Sequence, residues 1–196
     1  MVGEDIKIRH SSVIYKTGGP GSGKGTQCKK IAQRYGFTHL STEVLIQREM
    51  SSISERSNII KDNMESGELV PGDIILELFK EAVVASMGDT KWFLIDGYPQ
   101  ELKQGEQFGS QIGEPSLVLC MDCSSKTMSS RLLKRSKSSL EDNAEAIMKR
   151  IENYYQSIEP VITFYENKIP LFKVNELFRM LCSEILRSHH ANISNK

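Results

Sequence analysis

Short apolar runs alternate along this chain with segments of helical periodicity. The apolar runs have the length of strands and occur at Val13–Thr17, Thr38–Leu40, Trp92–Asp96, Leu117–Met121 and Leu171–Val174. Amphipathic patterns between them predict helices at Lys24–Tyr35, Asp73–Ser86 and Ala144–Tyr165. Because strands and helices alternate, we expect an α/β fold with a parallel, five-stranded sheet that is covered by helices on both faces.

A glycine-rich loop follows the first predicted strand and leads into a predicted helix. Residues 18–26 read GGPGSGKGT. The glycines let successive backbone N–H groups point at phosphate oxygens, the helix N-terminus adds its positive dipole end, and Lys24 reaches the outer phosphates. We therefore predict a phosphate-binding P-loop for a nucleoside triphosphate. A Gly/Pro surface turn is the alternative, but strand, loop and helix occur in the order that a P-loop requires.

The composition indicates a single globular domain over residues 1–196. The hydrophobic fraction of 39% suffices for a sizeable core, and 25 basic residues balance 25 acidic ones. The chain has no excess of basic residues that would indicate a nucleic-acid surface. It also has no apolar run that would indicate a membrane span or a signal peptide. We expect a cytoplasmic monomer without nucleic-acid or membrane partners.

Two of the four cysteines, Cys120 and Cys123, form a C-x-x-C motif. Such a motif can indicate redox or zinc chemistry. Zinc would need further ligands at a fitting spacing, and the other cysteine and histidine residues are scattered along the sequence. We favour the plainer interpretation, in which the two cysteines mark a buried strand end and the start of a helix.

Several further motifs occur in the order in which one known family has them. They are YGFTHLST at 35–42, GELVP at 67–71, FLIDGYP at 93–99, KQGEQF at 103–108, RLLKR at 131–135 and PVITFYE at 160–166. In the glycine loop, Gly25 separates Lys24 from Thr26, whereas a general P-loop has Ser or Thr directly after the lysine. Over most of its length the chain thus resembles the short-type cytosolic adenylate kinases, which are nucleoside monophosphate kinases. The resemblance implies reversible phosphoryl transfer from ATP to AMP, giving two ADP, with Mg²⁺ as the cofactor.

The resemblance also implies site residues. Those for ATP are Gly19, Pro20, Gly21, Ser22, Gly23, Lys24, Gly25, Thr26 and Arg131. Those for AMP are Thr42, Gln47, Val70, Gly97, Gln100, Gln104 and Arg150. The catalytic residues are Lys24, Asp96, Arg131, Arg135 and Arg150; none is a direct metal ligand, and Asp96 is expected to act on magnesium through bound water. The resemblance further implies a monophosphate-binding flap at about 42–71 and a short lid at about 136–143.

Four of these residues have plainer alternatives. Arg131 and Arg135 are spaced i, i+4 and share one helix face, which could be a solvated face. Arg150 could be a surface arginine on a long helix, and Asp96 could be a buried capping residue.

Some polar positions depart from the family pattern. Gln47 and Gln100 stand where relatives have arginines that hold the acceptor phosphate. The lid segment is short and lacks an arginine, and the loop after Asn175 that meets the adenine ring in relatives is missing. Since a hydrogen bond to a charged group contributes roughly 1.5–3 kcal/mol, we expect weak kinase activity. A nucleotide-binding module with little turnover, or a phosphotransferase for another acceptor, are the alternatives.

Overall fold

The computed structural model of the protein describes residues 12–66, 70–88, 92–135 and 144–174. The expected lid at 136–143, residues 67–69 of the expected flap and the segment that begins at Asn175 lie outside the described residues. The same holds for the side chain of Arg135.

Five parallel strands form one sheet. They are β1 (Ser12–Gly18), β2 (Thr38–Ser41), β3 (Trp92–Asp96), β4 (Leu117–Met121) and β5 (Leu171–Val174). The order across the sheet is β2-β3-β1-β4-β5. The predicted α/β fold is confirmed, and the apolar runs located β3, β4 and β5 to the residue because these strands are bounded by polar positions or turn residues.

Seven helices lie in the described part of the chain. They are α1 (Lys24–Tyr35), α2 (Thr42–Met50), α3 (Glu55–Glu65), α4 (Gly72–Ser86), α5 (Leu102–Gln111), α6 (Ser125–Arg135) and α7 (Ala144–Glu166). The periodic patterns predicted α1, α4 and α7 to within one residue at each end. None of these helices is both long and apolar enough to cross a bilayer.

The sheet separates two apolar layers, as the alternation of side chains along β1 shows. Val13 and Tyr15 face a cluster that includes Phe79 of α4 and Phe108 of α5. The rings of Tyr15 and Phe108 meet edge-on, with 5.4 Å between their centroids. Ile14 points to the opposite face, where α1 covers the sheet. Both faces of the sheet are therefore buried, which is why the strand sequences consist mainly of consecutive apolar residues.

A network of ion pairs connects α2 and α3, which lie within the expected flap, to α4, which follows it. Arg56 of α3 contacts Glu49 of α2 at 3.3 Å and Glu81 of α4 at 2.6 Å. Ser54 caps the N-terminus of α3 by accepting a hydrogen bond from the backbone of Ser57 at 2.9 Å. The Ser54 hydroxyl also donates to Glu49 at 2.6 Å. These polar contacts stabilise a part of the molecule that has few buried apolar side chains.

The buried cysteines agree with the plainer interpretation of the C-x-x-C motif. Cys120 lies in β4, one residue before its end, and Cys123 lies just before α6; both are buried, as is Cys28 in α1. Their location is thus a strand end and the start of a helix, as expected.

Candidate active site

The glycine loop connects the end of β1 to the start of α1 and is shaped by two glycines. Gly21 and Gly23 have φ angles of 76° and 93°, which side chains rarely allow, and Gly23 caps α1. A Cβ on Gly21 would lie 2.7 Å from the backbone oxygen of Met128 in α6. The loop is therefore held tightly between β1, α1 and α6, with the N-terminus of α1 directed at its centre.

Lys24, the first residue of α1, folds back over this loop. Its Nζ donates a hydrogen bond to the backbone oxygen of Gly19 at 2.9 Å. Desolvation lowers the pKa of Lys24, while the carboxylate of Asp96 acts in the opposite direction. The ammonium thus lies close to both the loop and Asp96, as expected of a lysine that would contact phosphate.

Arg131 reaches the same loop from α6. Its Nη1 lies 3.4 Å from the backbone oxygen of Gly21 and 3.3 Å from that of Ser22. The same nitrogen lies 3.8 Å from the sulfur of Cys123. Arg131 is therefore packed on the glycine loop, which argues against a simple solvated face. Arg150, on α7, is exposed.

The hydroxyl of Ser22 lies at the bottom of the glycine loop. The residue is buried, and in the described part of the chain its Oγ has no hydrogen-bond partner. A buried hydroxyl is costly unless it forms a hydrogen bond. A phosphate oxygen on the loop could accept one, and in this respect the loop fits the predicted triphosphate.

Asp96, at the end of β3, faces the start of α1. A Cβ on Gly25 would lie 3.5 Å from Oδ2 of Asp96, so the carboxylate approaches the positive end of the helix dipole. The same oxygen lies 3.2 Å from Nε2 of His39, the second residue of β2. The carboxylate of Asp96 thus lies between the first turn of α1 and an imidazole from the neighbouring strand.

Cys28, His39 and Asp96 form a cluster that sequence reasoning missed. Their potential ligand atoms all lie within 4.8 Å of one another. Burial raises the pKa of the Cys28 thiol, which disfavours the thiolate form that metals bind. Spacing along the chain gives no sign of this cluster, because a helix and two strands each supply one member. The cluster is a consequence of the fold topology, in which β2 and β3 are neighbours and α1 packs against both strands.

Lys16 is a second feature that sequence reasoning did not use. It is completely buried within β1, although lysine is rarely buried. Its presence in the apolar run Val13–Thr17 was the available signal, because a buried strand seldom contains a cation.

The expected acceptor side lies next to Asp96. The hydroxyl of Thr42 donates to the backbone oxygen of Asp96 at 3.3 Å, and Gly97 follows with a φ of 78°. Gln104 is buried, and its Oε1 accepts a hydrogen bond from the backbone N–H of Gln100 at 2.9 Å. Gln104 also lines the adjoining cavity.

The cavity beside Gln104 has a volume of about 250 Å³ and a polar lining. Among the expected AMP-binding residues it contains Val70 and Gln104. Its other lining residues, which the sequence did not reveal, are Pro71, Gly72, Asp73, Glu101, Lys103 and Gln107. Nε2 of Gln107 donates a hydrogen bond to Oδ1 of Asp73 at 3.2 Å. The cavity lining therefore includes a carboxylate, that of Asp73, which is held by a hydrogen bond.

Comparison with known proteins gives the family. The sequence model of the family "Adenylate kinase" matches residues 16–169. The chain belongs to the adenylate kinase family. It is 56% identical over 199 residues to adenylate kinase isoenzyme 5 of Mus musculus, with 94% of this chain and 35% of that protein covered. It is 48% identical over 187 residues to adenylate kinase isoenzyme 1 of Sus scrofa, with 91% of this chain and 96% of that protein covered.

The two groups of adenylate kinases differ in length. The chain is 57% identical over 190 residues to adenylate kinase isoenzyme 5 of Bos taurus. It spans about a third of the length of the isoenzyme 5 relatives that it matches. It spans nearly the whole length of the isoenzyme 1 relatives.

Within this adenylate kinase fold, the two positions that depart from the family pattern are open to solvent. Gln47 lies on α2 and Gln100 lies between β3 and α5, and both are exposed. Arg48, next to Gln47, is exposed as well. Since successive residues of a helix differ by about 100° in direction, Arg48 does not take the direction of Gln47. Where the resemblance expects positive charge, these two exposed positions thus carry neutral amides.

Proposed function

We propose that this chain is a nucleoside monophosphate kinase that reversibly transfers a phosphoryl group from ATP to AMP and gives two ADP. The convergence of Lys24 and Arg131 on the glycine loop, next to Asp96, carries this proposal. Phosphoryl transfer needs in-line positioning and positive charge more than covalent chemistry. This loop offers two cations, backbone N–H groups and a helix N-terminus in one place.

The donor side binds the triphosphate. Backbone N–H groups of the loop and the ammonium of Lys24 hold its phosphates, and the guanidinium of Arg131 needs only a small shift from two backbone oxygens to reach them. The hydroxyl of Ser22 supplies a further donor. Because Arg131 and Lys24 bind oxygens of the loop at distances of 2.9–3.4 Å, phosphate oxygens replace existing partners and the side chains are already close to their bound positions.

The acceptor side binds AMP in the cavity at Gln104. The amide of Gln104 can read the Watson–Crick edge of adenine, since its oxygen is already held by Gln100 N–H. Thr42 and Gly97 lie beside each other next to Asp96, where we place the path from this cavity to the loop. Gln47 and Gln100 are the groups that face the acceptor phosphate, and they offer neutral hydrogen bonds only. The side chains of Arg135 and Arg150 are proposed to complete the positive charge around the transferring group, and the short lid is proposed to close over the phosphates.

Magnesium is the proposed cofactor, and Asp96 is the residue that would orient its bound water. When bound, the ion neutralises charge on the phosphates and aligns their oxygens. Asp96 fits this task because its Oδ2 faces the first turn of α1, beside Lys24. We further propose a cytoplasmic monomer, which the buried free thiols of Cys28, Cys120 and Cys123 support because free thiols persist in reducing compartments.

The test is an assay of ADP formation from ATP and AMP in the presence of magnesium. We expect turnover by the wild type and its loss in Lys24→Ala. Lys30→Ala is the matched control, since Lys30 is an exposed lysine on the same helix. Equal rates in Lys24→Ala and Lys30→Ala would contradict the proposal.

A second candidate is a nucleotide-binding module with little turnover. The neutral, exposed amides of Gln47 and Gln100 favour it, because they leave the acceptor phosphate without two charge-assisted hydrogen bonds. ATP binding without detectable ADP formation from AMP would support this candidate over the kinase.

A further inference from the structure

Lys16 places a positive charge inside the sheet, directly below the glycine loop. The residue is 0% exposed and lies two positions before Gly18. In the sheet register its neighbours are Asp96 on β3 and Leu119 on β4. Residues in register on parallel strands about 4.8 Å apart share one face of the sheet. Lys16 therefore has one acidic and one apolar lateral neighbour, on the face that α1 covers.

A buried ammonium is stable only when an anion or hydrogen-bond acceptors compensate it. Asp96 is only 5% exposed and lies in register with Lys16, so it is suited to that task. The thiol of Cys28, which lies within 4.8 Å of a carboxylate oxygen of Asp96, is affected by the same two charges. Burial raises the pKa of Cys28, Lys16 opposes this, and the thiol also interacts with the side chain of Asp96. Lys16 and Asp96 thus act on the same group.

The charges of Lys16 and Asp96 both affect the affinity for a triphosphate, which carries up to four negative charges. Alone, the carboxylate of Asp96 repels metal-free ATP and attracts a divalent cation. A cation fixed beside Asp96 cancels much of both effects. At an effective dielectric constant of about 20, one unit charge some 6–8 Å from another changes an equilibrium constant by at least about tenfold.

We propose that Lys16 is an internal cation whose charge offsets that of Asp96, its neighbour in the sheet register, and lets the glycine loop bind a nucleoside triphosphate with little help from magnesium. Lys16 is thus a positioning residue, which acts through Asp96. The inference rests on the proposed function only in so far as the loop binds ATP.

The experiment is a calorimetric titration of ATP alone, in magnesium and again in EDTA, for the wild type and for Lys16→Met. We expect the wild type to lose less than about tenfold in ATP affinity when magnesium is removed. In Lys16→Met, a side chain of similar length without charge, the loss should grow by at least about tenfold, because Asp96 then repels the metal-free nucleotide. Lys30→Met is the matched control, since it removes an exposed lysine of α1 and should leave the wild-type ratio unchanged.

A ratio that is the same in Lys16→Met and in the wild type, with ATP binding intact, would overturn this inference and leave the proposed function standing. Absence of ATP binding in the wild type would overturn both. Should Lys16→Met not fold, the wild type still decides, because a loss of more than about tenfold in EDTA contradicts an internal cation that compensates Asp96.

Discussion

Nε2 of His39, the second residue of β2, lies 3.2 Å from Oδ2 of Asp96, the last residue of the neighbouring strand β3. In the tautomer that carries its proton on Nε2, the imidazole donates a hydrogen bond to the carboxylate. This contact fixes the rotation of the Asp96 side chain toward the first turn of α1, which is where a carboxylate must lie to orient water on a metal ion.

We expect His39→Leu to lower kcat/KM by about tenfold, since a hydrogen bond to a charged group contributes roughly 1.5–3 kcal/mol and part of that is recovered by relaxation. His39→Gln should restore most of the loss, because its amide can donate to the same oxygen. Steady-state kinetics of both variants at saturating magnesium provide the measurement. If His39→Gln and His39→Leu have equally low kcat/KM, His39 supports packing and does not orient Asp96.

Lys24 is expected to be necessary for stabilisation of the protein by ATP. A ligand that binds only the native state stabilises it by about 2.7 kcal/mol at one hundred times its Kd. For a protein of this size, that corresponds to a rise in Tm of about 5–10 °C. Thermal unfolding should show this rise for the wild type and for Lys30→Ala, and little or none for Lys24→Ala. Equal shifts in all three proteins would show that the ATP site lies elsewhere.

Most of the fold could be predicted from the sequence because the apolar runs are short and bounded by turn residues. It also contained the glycine loop, whose function depends on local backbone geometry between β1 and α1. It did not reveal the contact between His39 and Asp96 or the placement of Lys16 in register with Asp96, because these depend on which strands are neighbours in the sheet. The order β2-β3-β1 is a property of the whole fold, and no local pattern encodes it.

Glu49 gives a prediction about acid stability. A hydrogen bond from Ser54 lowers its pKa, and Arg56 acts in the same direction. A carboxylate with a depressed pKa stabilises the folded state above its unfolded pKa of about 4.3, and this stabilisation is lost as the pH falls through the lower, folded value. We therefore expect Glu49→Gln to reduce Tm by about 2–4 °C at pH 7, and the difference from the wild type to shrink below about pH 4.

Glu152→Gln is the control for this measurement, since Glu152 is exposed on α7. It should leave Tm nearly unchanged across the same pH range. A difference between Glu49→Gln and the wild type that persists undiminished at pH 3 would mean that the change disturbs packing of α2 and not its ion pair with Arg56.

The last prediction concerns the neutral amides on the acceptor side. The double change Gln47→Arg and Gln100→Arg should raise kcat/KM for AMP by roughly 10²-fold, which corresponds to two charge-assisted hydrogen bonds at the lower end of their range. An amide has neither the charge nor the fixed fork of donors with which a guanidinium holds a phosphate. Both side chains are exposed, so the longer arginines need no rearrangement of the core.

The control is Gln33→Arg with Gln156→Arg, which adds the same charge at exposed positions of α1 and α7. It should leave kcat/KM for AMP nearly unchanged, and neither double variant should alter ATP affinity much. If the gain appears as a lower KM for AMP, the arginines bind ground state and transition state alike; if it appears in kcat, they correct the in-line position of the acceptor. Absence of any gain in a folded, ATP-binding double variant would assign the limit to the short lid at 136–143 and favour the binding module over the kinase.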